Sequence, residues 1–259
     1  EYSVICSSHN GQEEHTEVVD QFLRKNNLLI KHLICGPHWS LEKKVLIDQV
    51  RKFEKPTTLL SNCSGKHSGM LLLSKLLKES PSGYESLDHP VQKRIIEILN
   101  ILTGQNILEF PHGIDGCGVP AFSAPIKIWA RAFARFASGD DISEELNEGR
   151  KIISNSIANE PLMIAGERRI CTAIARNLGH QITPKMGAEA VYCCSLNDKG
   201  LGLILKCRDG SNRAVEFALG EVLKTLNYDI SDDLNKFFND KLYNIAGREV
   251  GLKKIKVLN

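Results

Sequence analysis

The sequence predicts an α/β protein of the α+β kind, with a mainly antiparallel sheet flanked by helices. Apolar residues recur at helical spacing through the first two thirds of the chain. Strand-like runs come late, at Glu189 to Leu196 and Leu201 to Cys207, joined by the hairpin signal Asn197-Asp198-Lys199-Gly200. No internal repeat or low-complexity segment divides the 259 residues, so a single domain over 1–259 is expected.

Taken in order, Glu1 to Cys6 reads as the end of a strand or helix that enters a loop, as if the chain began inside a domain. A helix over 12–27 places Val18, Val19, Phe22 and Leu23 on one face, with acids in its first turn. Cys35-Gly36-Pro37-His38-Trp39 breaks that pattern, and Ser40 caps a second helix with Leu41, Val45, Leu46 and Val50 as its apolar face. A helix over 66–79 stops at Ser80-Pro81-Ser82-Gly83. His89-Pro90 opens another, burying Val91, Ile95, Ile98, Leu99 and Leu102 before Gly104. The passage Phe110 to Pro120 is rich in glycine and proline and is expected to be irregular. Helices follow over Ile126 to Ser138, 142–158 and up to Leu178. After the hairpin come helices over Arg213 to Leu226 and 231–241, then a strand from Glu249 to Val257.

Composition narrows the function. With 42% hydrophobic and 25% charged residues, the chain can bury an ordinary globular core. Its 33 basic and 31 acidic residues leave a net charge of +2, too small a field to recruit nucleic acid or a membrane surface. No apolar run approaches the ~20 residues of a membrane helix and no leader pattern is present, so a cytoplasmic location is expected. Eight irregularly spaced cysteines without a Cys-x-x-Cys pair do not form a secreted disulfide framework.

The densest chemistry lies in Leu60-Ser61-Asn62-Cys63-Ser64-Gly65-Lys66-His67-Ser68-Gly69-Met70, directly before an apolar helical run. Unpaired N–H groups of a first helical turn create a positive field that acidifies a thiol. Cys63 and Lys66 are three apart and share a face once the helix has begun. Three further polar clusters stand out: Ser7 to Gly11, Asp115-Gly116-Cys117, and Lys185 to Glu189. The first resembles the Ser-Asp-Asn element of serine penicilloyl-transfer enzymes, and the last resembles their Lys-Thr-Gly strand.

Together these segments resemble the L-asparaginase II family of the Rhizobium etli inducible type, a serine-hydrolase branch with a β-lactamase/transpeptidase-like fold. The resemblance runs through Cys-Ser-Ser-His-Asn-Gly at 6–11, Cys-Gly-x-His-Trp at 35–39, Asn-Cys-Ser-Gly-Lys-His-Ser-Gly-Met at 62–70, Gly-Ile-Asp-Gly-Cys-Gly-Val-Pro at 113–120 and Lys-x-Gly-Ala-Glu-Ala-Val-Tyr-Cys at 185–193. It implies an amidohydrolase that converts L-asparagine to L-aspartate and ammonia, acting on a small amino-acid amide, and by analogy a homodimer. It also implies a catalytic set of Ser8, Lys185, Asp115 and His67, with Ser8 and Lys185 as a pair, and a zinc ion on Cys63, Lys66 and Cys117, which Asp115 and His67 adjoin. His9, Asn10, Asn62 and Gly187 are then candidates for substrate binding.

The family's nucleophilic Ser-x-x-Lys and first strands lie upstream of the segment matched by Ser3 to Gly11. In this sequence the only Ser-x-x-Lys is Ser40-Leu41-Glu42-Lys43, already explained as a helix cap. Two other readings stay open. One is a catalytically inactive fragment or pseudoenzyme that binds a ligand or partner. The other is thiol hydrolysis by Cys63 with His67.

Overall fold

The computed structural model describes residues 1–256. It begins with α1 (Tyr2–Ile5), α2 (Glu13–Lys25), α3 (Lys43–Arg51), α4 (Ser64–Leu76) and α5 (Pro90–Thr103). A small ribbon, β1 (His112–Ile114) with β2 (Pro120–Phe122), precedes α6 (Ile126–Ser138), α7 (Glu144–Asn159), α8 (Leu162–Ala165) and α9 (Ile170–Leu178). Then come β3 (Ile182–Met186), β4 (Val191–Leu196), β5 (Leu201–Lys206), α10 (Asn212–Thr225), α11 (Asp232–Asn235), β6 (Lys241–Tyr243) and β7 (Glu249–Leu252). Every strand pairing among the described residues is antiparallel, and β3-β4-β5 is the largest sheet.

Two buried clusters organise the chain. One joins α9, the β3-β4-β5 sheet and α10 around Ile174, Tyr192, Cys194 and Leu219. The other joins α1, α2 and α4 around Val4, Val19, Leu23 and Leu71. Each fully buried aliphatic side chain of this kind contributes roughly 1.5–3 kcal/mol by leaving water. Two glycines allow the closest approaches. A Cβ on Gly65 of α4 would sit 2.0 Å from the Val4 carbonyl oxygen of α1, and one on Gly202 of β5 would sit 2.0 Å from the Ala130 carbonyl oxygen of α6. The first of these contacts seats α1 on α4, and with it the loop that carries Ser8.

Several local expectations change. Glu42, not Ser40, caps α3: its carboxylate accepts from Val45 N–H, while Ser40 Oγ donates to the Asn10 carbonyl and accepts from Glu42 N–H. The expected apolar face of α3 is not buried, and Leu41 and Val50 are each 54% exposed. The passage from Phe110 to Pro120 contains the β1–β2 ribbon, because its glycines gather at the tip. There Gly118 takes φ +92° and Asp115 N–H donates to the Val119 carbonyl.

Glu189 opens no strand. Glu189 and Ala190 both take φ +53° and form the β3–β4 turn, and the first strand of that sheet lies before them at Ile182–Met186. The helix expected over 231–241 ends as a 3₁₀ turn at Phe238, and Lys241 already belongs to β6. Val257, the expected end of the last strand, lies outside the described residues.

Candidate active site

A cleft of about 370 Å³ lies between the two cores. Its walls bring together Ser8 from the loop after α1, Asn62, Cys63 and Lys66 from the start of α4, Asp115 and Cys117 from the ribbon tip, and Lys185 and Gly187 from the end of β3. Residues 177 positions apart thus meet, with Lys185 Nζ 2.8 Å from Ser8 Oγ and 2.8 Å from the Met186 carbonyl oxygen. Burial holds the Lys185 ammonium below its ordinary pKa, and the charge of Lys66 adds to the effect against an opposing contribution from Cys171. An amine so placed exchanges a proton with a hydroxyl it touches.

The second group sits across the cleft. Lys66 Nζ donates to Cys117 Sγ at 3.2 Å and lies 3.7 Å from Asp115 Oδ2. The neighbouring Cys117 and burial push the Cys63 thiol up, while Cys63, His67 and Lys66 outweigh burial and draw the Cys117 thiol down. The acidified thiol is therefore Cys117, not the Cys63 that caps α4. The helix field is overridden because Cys63 is half-buried beside a second sulfur that is easier to ionise. Burial works to lower the Lys66 pKa, but the two thiols and Asp115 outweigh it and hold the ammonium above its ordinary value.

Zinc would suit this donor set, two sulfurs and an amine. Among the described residues no three His, Cys, Asp or Glu side chains converge as a metal site, so a metal here needs the Lys66 amine as its third ligand. The three candidate ligands all face one cleft, which fits the group.

Three expected site residues stand back from the cleft. His9 is fully buried and both its ring nitrogens are used: Gly11 N–H donates to Nδ1, and Nε2–H then donates to Ser64 Oγ. Burial holds its pKa down at about 3, so it stays neutral, and it does not line the cleft. Asn10 is likewise a structural hub, accepting from Arg169 Nη1 at 2.6 Å and donating to the Glu167 carbonyl. His67 lies behind the cleft, buried against Tyr84.

Sequence reasoning assigns His38 no role beyond its place in the Cys-Gly-x-His-Trp segment. In the structure His38 lines the cleft; its Nε2 accepts the Asn62 N–H at 2.8 Å and its Nδ1–H donates to the Trp39 carbonyl at 2.6 Å. With His9 N–H donating to the Asn62 carbonyl, both sides of the Asn62 backbone are pinned. A histidine beside Trp at a glycine-proline break is the signal that could have found it.

A sequence profile of L-asparaginase II matches residues 1–255. The chain belongs to the L-asparaginase II family. Membership implies, at the level of the family, an asparaginase-type amidohydrolase acting on a small-molecule amide. No curated protein matches the chain. Among the described residues no helix of this family member is long and apolar enough to cross a membrane.

Proposed function

We propose that this L-asparaginase II hydrolyses L-asparagine by serine acyl transfer. The observation that carries the reading is the half-buried Lys185 amine, lowered in pKa and 2.8 Å from Ser8 in the wall of the cleft. A serine oxygen attacks the side-chain amide carbon while its proton passes to a lysine amine. Ammonia leaves with a proton returned from that relay, and the resulting ester is opened by water, regenerating the serine and releasing L-aspartate. Ser8 and Lys185 move the protons in this scheme. In this reading the attacking serine is not Ser40, the one serine here with a lysine three positions on, because its hydroxyl is committed to the Asn10 carbonyl; a Ser-x-x-Lys segment of the kind the family carries would supply it.

A trough of about 300 Å³, walled by Leu99, Leu102, Trp129, Phe133 and Phe136, also reaches Lys185. The lysine delivered by an edge of the antiparallel sheet, with Ser8 facing it, supports a β-lactamase/transpeptidase-like arrangement and one asparaginase II-like unit over 1–259.

Zinc held by Cys63, Lys66 and Cys117 would supply a fixed positive charge to orient the amino-acid end of the substrate and tie the site loops together. In the absence of a nearby cation Lys66 is held charged, so ligation requires the cation to displace its proton.

The test is ammonia release from L-asparagine by the 259-residue chain and by the same chain extended upstream, each with and without zinc. Turnover by the extended form alone supports the reading. Turnover by the short form overturns the placement of the nucleophile, and L-aspartate binding without turnover by either form favours a ligand-binding pseudoenzyme.

A further inference from the structure

Ser8 and Asn10 lie two positions apart in one loop and are used differently. Ser8 meets Lys185 in the cleft, whereas Asn10 is buried and its Oδ1 accepts from Arg169 Nη1 at 2.6 Å. The Asn10 amide has one consistent orientation, because a guanidinium only donates and the Glu167 carbonyl, 3.0 Å from Nδ2, only accepts. The other arm of the half-buried Arg169 reaches β3, with Nη2 3.6 Å from Met186 Sδ. Met186 directly follows Lys185, and neighbours on a strand point to opposite faces of the sheet. Met186 packs into the core with Tyr192, its partner on β4, so Arg169 takes hold of β3 on the face that Lys185 does not use.

The backbone of the loop is tied to α8 rather than to the sheet: Ser8 and Asn10 N–H groups donate to the Ile164 and Ala165 carbonyls at 3.2 and 2.8 Å. Among the described residues, the hydrogen bonds that join residues 7–12 to β3 are the Ser8–Lys185 contact and the Arg169 bridge. Arg169 is well placed to carry that load. Its own carbonyl accepts the Ala173 N–H at 3.0 Å, which fixes its backbone at the start of α9. Arg168 and Arg176 pair with Glu42 and Glu167, whereas the Arg169 fork spans two neutral acceptors.

We infer that Arg169 is a positioning residue for the cleft: holding Asn10 with one arm and Met186 with the other, it sets the distance between Ser8 and Lys185. Shape matters here more than charge. A lysine at this position keeps the positive charge but offers one ammonium in place of a rigid fork, and it cannot hold both acceptors in fixed geometry. The consequence for turnover rests on the proposed use of Ser8 and Lys185 as the proton relay; the bridge itself does not.

The test compares the wild-type chain with Arg169→Lys and Arg169→Met. Crystal structures are expected to show Ser8 Oγ in contact with Lys185 Nζ in the wild type and out of hydrogen-bond reach in both variants. A wild-type crystal without the contact, or variants that keep it, would overturn the inference. In the catalytically competent form of the chain, both variants are expected to lose ~10–100-fold in kcat with KM nearly unchanged, the cost of displacing a reacting group by about an ångström. Wild-type kcat in Arg169→Lys would mean that charge suffices, and a loss confined to KM would assign Arg169 to binding; either result sinks the bridge. If the wild type itself releases no ammonia, the proposed reaction fails and the crystal structures decide the bridge alone. Urea unfolding identifies a variant that merely loses its fold. In that case Met186→Leu, which keeps the volume and removes the sulfur, is expected to lengthen the same contact and lower kcat several-fold, and wild-type values there overturn the inference.

Discussion

Two lysines face one cleft and are driven in opposite directions. Lys185 and Lys66 are both largely withdrawn from water, which by itself favours the neutral amine in each. Around Lys185 the close partners are neutral, a serine hydroxyl and a backbone carbonyl, so burial prevails and the proton is loosened. Around Lys66 stand an acidified thiol at 3.2 Å and a carboxylate at 3.7 Å, so attraction prevails and the proton is held. Burial alone does not decide the state of a lysine; the charge of whatever is buried with it does.

The comparison breaks most visibly at Lys185. Replacing it with Met keeps most of the side-chain volume and removes the amine. The catalytically competent form of the chain is then expected to lose ~10²–10⁴-fold in kcat, the range for a positioned acid-base group, while a chain that loses only KM would assign Lys185 to binding.

The frame that lets the two lysines meet is the next target. Gly65→Ala drives a methyl group into the Val4 carbonyl and should cost ~1–3 kcal/mol, read as a shift in the urea midpoint. An unchanged midpoint would mean that α1 is free to move away from α4.

Stability against pH sharpens the contrast. The folded-state pKa of Lys185 is depressed, so between that value and the unfolded lysine value the unfolded chain binds more protons. The penalty is full below the folded pKa and is relieved as pH rises through the window. Relative to Lys185→Met, the wild-type chain should therefore gain stability from neutral toward alkaline pH, measured by denaturant unfolding across that range. A flat difference would show that Lys185 keeps its ordinary pKa.

The smallest effect concerns the other lysine. Lys66→Met removes one of the groups that acidify Cys117. Alkylation of that thiol by iodoacetamide in metal-free protein at neutral pH is expected to slow several-fold, since the thiolate is the reactive form. Faster labelling would show that shielding by Lys66 matters more than its charge.

Much of the fold was legible because its signals are local. Val19, Phe22 and Leu23 fall on the buried face of α2, Gly104 and Gly139 end α5 and α6 in left-handed conformations, and the hairpin from Asn197 to Gly200 joins β4 to β5. The turn at Glu189-Ala190 was hidden because neither residue advertises a positive φ, and β3 before it was signalled only by the likeness of the Lys185 cluster to a Lys-Thr-Gly strand. In the site, the segments around Ser8, Cys63, Cys117 and Lys185 stood out as dense polar clusters. His9 and Asn10 share that density but turn inward, a distinction that depends on the partners Ser64, Gly11, Arg169 and Glu167.

By itself, then, the sequence determined the class of fold, most of its helices and the four segments that carry the chemistry, since periodicity, caps and reactive residue types act over a few neighbours. Only the tertiary structure decided which of those residues share the cleft, which thiol is acidified and which lysine holds its proton less tightly. Each of those outcomes depends on distances between residues tens to more than a hundred positions apart, and the balance of burial against charge is set at those distances.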